Sequence, residues 1–448
     1  MQRKFFTFLS YRLTRFLYFF LTTTISPIIF FRLLLSLRKN QNFFSEILNK
    51  FFGILIEIES IKAYKKSKKR IWIHAVSVGE THAAIPLMRE LLSRNNDCSI
   101  LLSNTTISGF NFFKTVVKKD KILADRVTHC FSPIDFIWSV KSFLNSSIPQ
   151  VAIFIETEIW PNIVHELSNR KIKIVLANGR LSRKSFKIFK NFSWFSIPVL
   201  EKFSLILVQS DTDEKRYLEL TNQVKIFITG NIKFDSVVSK ELIRKGLEWR
   251  SFFAKKSFWL ALSTRKNEEK RIFEAWYKNK PDNAILIVVP RHPERFNWVF
   301  QQAKNIGFVV IRRSEFFSHD ISSNTFLNTD VVVGDSMGEI IAYATFADLA
   351  LIGGSVINCG GQSPIELCSQ GCPVFFGPNM SNFYGISKQL SLTYAGFEID
   401  SYEEWISHGL NLLSDNNKFI NSKKAASKFV INNKGASSLT AKKIEQLI

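Results

Sequence analysis

Two tandem parallel α/β domains behind an N-terminal membrane-associating helix are what this sequence predicts. Three observations carry that expectation: short apolar runs alternating with amphipathic helices, polar loops that follow those runs, and an uncharged aromatic stretch near the N-terminus with basic flanks. At 448 residues the chain is too long for one ordinary domain. Hydrophobic residues make up 46% and charged residues 22%, enough for large cores, so wholesale disorder is excluded.

The net charge is +22, and residues 1–70 hold fourteen Lys and Arg against three Glu, so half of the excess lies in the first sixth of the chain. Phe16 to Phe31 carries no charge, and continuing to Leu37 gives 22 residues, roughly 33 Å of helix. Pro27, the run Thr22 to Thr24 and Arg32 weigh against a spanning helix, and a helix lying in the interface is the alternative. Arg3, Lys4, Arg12 and Arg15 precede the segment; Arg38, Lys39, Lys50 and the cluster from Lys62 to Arg70 follow it, which leans toward a cytoplasmic body. No small-x-small cleavage pattern follows the apolar run, so a removed signal peptide is not expected. The basic cluster has only Tyr64 for base stacking, which disfavours nucleic acid and favours anionic phospholipid or a phosphorylated lipid substrate. Cys98, Cys130, Cys359, Cys368 and Cys372 form no even disulfide framework and lack C-x-x-C spacing, as expected of a reducing compartment and no metal site.

Strands are expected at Arg70 to Val76, Ser99 to Leu102, Val151 to Ile155, Ile172 to Ala177, Leu205 to Gln209 and Lys225 to Thr229. Helices are expected at Thr81 to Ser93, Asn162 to Arg170 and Asp213 to Leu220. A second series of strands follows at Phe258 to Leu262, Ala284 to Val289, Gly307 to Ile311, Val331 to Val333, Leu349 to Ile352 and Val374 to Phe376. The boundaries that result are an anchor at 1–40, a first Rossmann-like domain at 41–235, a charged helical linker at 236–255 and a second Rossmann-like domain at 256–448. A cleft between the domains is the default site.

The polar residues after the strands are the candidate chemistry, because ligands of open α/β sheets bind at the carboxyl ends of strands. Glu80 follows the first strand through Ser77 and Gly79; complementing the helix dipole is its bland alternative. Glu156 and Glu158 follow Val151 to Ile155, with Pro161 placed to open a helix, and the same alternative applies. Arg180 and Lys233 are cations suited to an anionic ligand, with an intradomain ion pair as the competing explanation. In the second domain Pro290 and Arg291, then Asp335-Ser336-Met337-Gly338-Glu339, then Gly353-Gly354-Ser355 and Gly360-Gly361-Gln362-Ser363-Pro364-Ile365-Glu366 form three successive loops. Glycines before helix starts let backbone N–H groups approach phosphate, and Glu366 could accept both ribose hydroxyls. Asp211-Thr212-Asp213 has a metal-binding D-x-D form, but Asp213 is expected to cap a helix. His74 and His82 lack a third ligand and are expected to be structural.

Taken together, SVGET at 77–81, ETEIWPN at 156–162, NGRLS at 178–182, GNIKFD at 230–235, PRHPERF at 290–296, DSMGE at 335–339 and GGQSPIE at 360–366 resemble the bacterial 3-deoxy-D-manno-octulosonic acid (Kdo) transferase family, in order along nearly the whole chain. The resemblance implies a glycosyltransferase-B fold, a CMP-Kdo donor and the lipid A precursor, lipid IVA, as acceptor, without metal or other cofactor. It also implies Glu80 as base, Glu156 and Lys233 as assistants of the transition state, and CMP contacts at Pro290, Arg291, Met337, Gly338, Glu339, Ser363, Pro364, Ile365 and Glu366. An inner-membrane location with the catalytic domains on the cytoplasmic side fits both family and charge. The chain departs from the family pattern at Arg265 and Asn267, which replace a histidine and a glycine, at Gln362 and Ser363, and at Gly179, where a looser backbone is expected. The rival readings are a UDP-sugar enzyme of the same fold, and a non-catalytic protein that docks on anionic membrane.

Overall fold

A computed structural model describes residues 2–37, 43–55, 59–253, 256–318 and 323–447. Arg38 and Lys39, counted among the charges flanking the anchor, lie outside the described residues, as do the side chains of Arg3, Lys4 and Arg12. The chain divides into two compact units, Met1–Ser236 joined by Lys434–Ile448, and Val237–Asn433.

The first unit opens with one helix, Gln2–Leu37. It contains a stretch, Leu13–Leu35, of mean hydropathy 1.6 that is long and apolar enough to cross a bilayer. Pro27 does not break it: the residue has no N–H for the Thr23 carbonyl, and the Ser26 hydroxyl donates to that carbonyl instead, at 2.8 Å. Tyr18 donates to Asp135 at 2.8 Å and the Phe30 ring lies 4.6 Å from that of Phe51, so the helix runs along the unit. Leu13, Phe16, Leu17, Phe20, Leu21, Ile28, Phe31 and Leu35 stay exposed.

Seven parallel strands follow: β1 Lys69–His74, β2 Cys98–Asn104, β3 Val127–Phe131, β4 Val151–Ile155, β5 Lys173–Gly179, β6 Leu205–Val208 and β7 Ile226–Ile228, in the order β3-β2-β1-β4-β5-β6-β7. Alternate residues enter two separate clusters, Trp72, Ala152 and Phe154 in one and Ile71, Ile73, Ile153 and Ile155 in the other. The sheet is therefore covered on both faces, which is why its strands read as continuous apolar runs. Strand order reverses between β1 and β4, and the crevice this opens lies at their carboxyl ends.

The second unit repeats the plan with β8 Ser257–Thr264, β9 Ala284–Pro290, β10 Val310–Arg312, β11 Val331–Val333, β12 Leu349–Ile352, β13 Val374–Phe376 and β14 Gly396–Glu398, ordered β10-β11-β9-β8-β12-β13-β14. Here the reversal falls between β8 and β12. Two strands, β3 and β14, were not anticipated: Thr128 and His129 interrupt the apolar run of one, and the other is a three-residue edge strand.

The domain boundaries differ from those read in the sequence. Instead of a linker at 236–255, the helix Lys240–Ser251 packs within the second unit, burying Trp249 completely and setting Arg250 on Asp348 at 2.9 Å. The C-terminal helix Ala436–Glu445 belongs to the first unit: Asp235 accepts from the Gly435 and Ser437 N–H groups at 2.6 Å each, and Ala441 and Ile444 enter the core. A β-carbon on Gly246 would sit 2.4 Å from the Ala342 carbonyl oxygen. Gly246→Ala is therefore expected to destabilise the second unit by about 1–3 kcal/mol, the range for overpacking, in urea unfolding. A flexible connector would leave the unfolding curve unchanged.

Candidate active site

The end of β1 places Glu80. Ser77 is the N-cap of the helix Val78–Arg94, and Glu80, three residues on, closes a capping box: its Oε2 accepts from the Val76 N–H at 2.5 Å and the Ser77 N–H at 3.1 Å. The turn is fastened to β2, because Asn104 donates to the Ala75 carbonyl at 2.5 Å and to the Thr81 hydroxyl at 2.7 Å. The helix starts at Val78 rather than Thr81, so Glu80 has both a capping role and a place at the switch point. His74 is wholly buried beside Ser103, and desolvation lowers its pKa to about 4, so it is a neutral core residue as expected.

Next along the sheet edge, the end of β4 places two more carboxylates. Glu156 has φ +66°, a left-handed conformation that costs a non-glycine residue of order 1 kcal/mol and persists only where surroundings enforce it. Its Oε1 is 2.5 Å from Lys233 Nζ, an ion pair whose alignment is not that of a hydrogen bond. Lys233 lies in the short turn Ile232–Asp235, capped by Asn231 and tied to β5 by the Ile232 N–H donating to Asn178. The intradomain ion pair considered for Lys233 thus exists, and its partner, Glu156, is itself one of the predicted catalytic residues. Glu158 accepts from Trp160 Nε1 at 2.8 Å; burial first, then the charge of Glu156, raises its pKa against that bond.

Glu80 takes its character from this neighbourhood. Its pKa rises from 4.5 to about 7, chiefly by burial, then by the charges of Glu158 and Glu156, while the Ser77 and Val76 N–H groups oppose the shift. Near neutral pH the group is therefore balanced between its two forms. One further residue went unnoticed. Asp135, fully buried, accepts from Tyr18 and from the Asn162 and Ile163 N–H groups, so it caps the helix Pro161–Asn169 that follows the Glu156–Trp160 loop. The only available signal was a lone Asp in an otherwise apolar loop after a strand that was itself missed.

The second unit gathers the nucleotide candidates at the carboxyl ends of β8, β9, β11 and β12. Arg291 follows β9 directly; burial and then the nearby Arg265 charge lower its pKa. Arg265 also contacts His292 at 3.2 Å. The buried Glu268 ties the loops together, accepting from the Arg265 N–H, the Gly354 N–H and the Tyr402 hydroxyl. Met337 and Gly338 are exposed at the loop tip, Gly338 with φ +78°. The Glu339 carboxylate pairs with Arg313 and accepts from Ser336 at 2.5 Å. Pro290, Pro364 and Ile365 are buried, so they shape the loops through backbone and packing. Glu366 is the second residue of the short helix Ile365–Ser369 and accepts from Ser363 at 2.7 Å.

Two smaller expectations change. Asp213 is not the cap: Ser210 is, and Asp213 accepts from the Leu181 N–H at 2.9 Å, holding the loop after β5 that carries the half-buried Arg180. Gly179 is a tightly packed residue of β5, where a β-carbon would meet Leu176 at 3.2 Å and the Leu207 carbonyl oxygen at 3.3 Å, so its backbone is confined. Among the described residues no group of three or more His, Cys, Asp or Glu is placed to hold a metal ion.

The raised Glu80 pKa has a consequence for stability. Between 4.5 and about 7 the folded protein keeps a proton that the unfolded chain releases, so stability falls as pH rises through that window. Both N–H groups bond one oxygen, so Glu80→Gln can retain them with its amide oxygen. The melting temperature of the native chain should fall relative to that of Glu80→Gln between about pH 4.5 and pH 7. Parallel melting curves across that range would contradict the burial of the charge.

Comparison with known proteins gives one family. A family model described as 3-deoxy-D-manno-octulosonic-acid transferase (kdotransferase) matches residues 52–236. The 3-deoxy-D-manno-octulosonic acid transferase of Haemophilus influenzae is 35% identical over 347 residues, covering 77% of this chain and 78% of the relative. That of Rickettsia bellii is 31% identical over 386 residues, covering 82% and 87%. Among solved structures, a glycosyltransferase from Rickettsia africae covers 85% of this chain and 98% of its own, with a TM-score of 0.57 at 15% identity, a likeness of fold. With two parallel seven-stranded sheets of the glycosyltransferase-B class and relatives of this kind over most of its length, the chain belongs to the Kdo transferase family of glycosyltransferases.

Proposed function

We propose that this protein moves Kdo from CMP-Kdo to a hydroxyl of the lipid A precursor, lipid IVA, with inversion at the transferred carbon, as a step of lipopolysaccharide core synthesis. The observation that carries the reading is Glu80, a carboxylate at the switch point of a parallel sheet with a pKa near 7, beside the Glu156–Lys233 pair. A base is most effective when its pKa lies near the working pH. The acceptor hydroxyl gives its proton to Glu80 as its oxygen attacks the anomeric carbon, and CMP leaves with the electron pair of the broken bond. Lys233, held by Glu156, opposes negative charge on the donor's carboxylate or phosphate.

Support in the second unit comes from Arg265 and Arg291. Two guanidinium groups close enough for one to depress the other's pKa are relieved by an anion between them. Arg265 replaces a histidine of the family pattern, so the donor phosphate meets an added cation here. The exposed loop of Met337 and Gly338 and the Ser363–Glu366 turn complete the CMP contacts, and no metal enters the scheme. The Leu13–Leu35 helix, with its basic flanks, holds the protein at the inner membrane with both units on the cytoplasmic side.

Purified full-length protein, CMP-Kdo and lipid IVA should yield a product heavier by one or more Kdo units in mass spectrometry, with CMP released in equal amount. Release of UDP from UDP-sugars, with none of CMP, would overturn the assignment. Glu80→Gln should lower turnover at least about 100-fold, the low end for losing a general base. In the native enzyme kcat/KM should fall with acidity below about pH 7, because only the ionised carboxylate accepts the proton. Lys233→Met should lower kcat by a similar factor while leaving the fold intact by circular dichroism.

A further inference from the structure

Close to the Glu156 loop, the first unit contains an apolar cavity of about 270 Å³ that the reaction scheme leaves unused. Ile159 and Pro161 line it together with Ile188, Phe192 and Phe195. Ser196 lines it too, but its hydroxyl is committed to the Phe189 carbonyl at 2.6 Å, so the lining offers no hydrogen bond of its own there. Ile188 is 48% and Phe192 54% exposed, and Trp194 beside them 40%, an apolar rim left in contact with solvent.

The helix Arg183–Asn191 that supplies Ile188 buries none of its residues fully. Arg183, Lys184 and Lys187 are exposed on it, without an ion-pair partner among the described residues. An apolar lining supplied in part by a helix with three exposed cations matches an amphiphile with a hydrocarbon tail and a phosphate. The cavity also lies near the anchor: Phe195, which lines it, is 5.8 Å from the Tyr18 ring of the helix Gln2–Leu37, on which Phe16, Leu17, Phe20 and Leu21 are exposed.

We propose that this cavity takes one acyl chain of the acceptor lipid, with Arg183, Lys184 and Lys187 against its phosphate, and so orients the sugar hydroxyl toward Glu80. The proposal rests on the reading of the reaction given above. Proximity favours the acceptor over bulk phospholipid. Ile159 is three residues from Glu156, so the wall of the cavity and the base assembly lie within about 10 Å of chain, less than the length of one lipid. A tail seated here keeps its own head group at the reacting residues.

The test compares the full-length enzyme on acylated lipid IVA and on the same phosphorylated disaccharide with its fatty acids removed. The native enzyme should prefer the acylated acceptor in kcat/KM. Ile188→Arg, a change at an exposed position, should reduce that preference about tenfold, equivalent to losing the burial of roughly two methylenes. Phe192→Ala should reduce it in the same direction by opening the wall. A preference unchanged in both variants, or equal use of both acceptors by the native enzyme, would overturn the cavity assignment and leave the reaction standing. Loss of sedimentation with phosphatidylglycerol vesicles at an unchanged preference would give the cavity to bulk lipid and overturn the acceptor assignment. Failure of the native enzyme to transfer Kdo to either acceptor would overturn the reaction and the cavity's role together.

Discussion

A carboxylate that closes the first turn of a helix at the end of a buried strand has to leave bulk water, and the chemistry proposed for the first unit follows from that desolvation. Glu80 receives the Val76 and Ser77 N–H groups, so its position is set by backbone rather than by a free side-chain rotamer. Those bonds favour the charged form; burial and two neighbouring carboxylates disfavour it and prevail. Structural capping and the proposed proton acceptance are therefore compatible at Glu80. The capping geometry is what holds the carboxylate at the sheet edge with its pKa near neutrality.

Lys233 keeps this arrangement tolerable. Three carboxylates at neighbouring loop ends would repel strongly without a cation, and Lys233 offsets one of them at 2.5 Å. Its turn is held from several sides: Asn231 caps it, Asn178 at the end of β5 accepts from Ile232, and Ile232 packs with Ala83 and Ala436. The left-handed backbone of Glu156 is stabilised in the same neighbourhood, since its N–H donates to Ala177 of β5 at 3.0 Å. In the second unit Glu268 has the corresponding organising role, joining loops that start from β8 and β12.

The strands were legible wherever a run was buried on both faces. β4, β11, β12 and β13 have the bounds read in the sequence because parallel strands of this kind need no polar alternation. β3 and β14 were obscure because polar residues interrupt one and the other is three residues long at a sheet edge. Residues of the candidate sites were legible as loops after strands, but their electrical state was not. The Glu80 pKa depends on Glu156 and Glu158, far away in the chain, and on a degree of burial that no motif encodes. The same holds for Asp135 and for the Lys240–Ser251 helix, whose charged surface concealed a buried Trp249.

The attachment of Ala436–Glu445 to Asp235 has a bearing on biogenesis. Because the first unit is completed by a segment synthesised after the whole of Val237–Asn433, a nascent chain that has emerged only through Ser236 still lacks Ala441 and Ile444 from its core and the partners of Asp235. The intervening residues Val237–Asn433 can collapse on their own sheet while the growing polypeptide is still tethered, and the unit bearing Glu80 is finished afterwards. Synthesis order thus delays maturation of the unit that carries Glu80 until the second unit has been made.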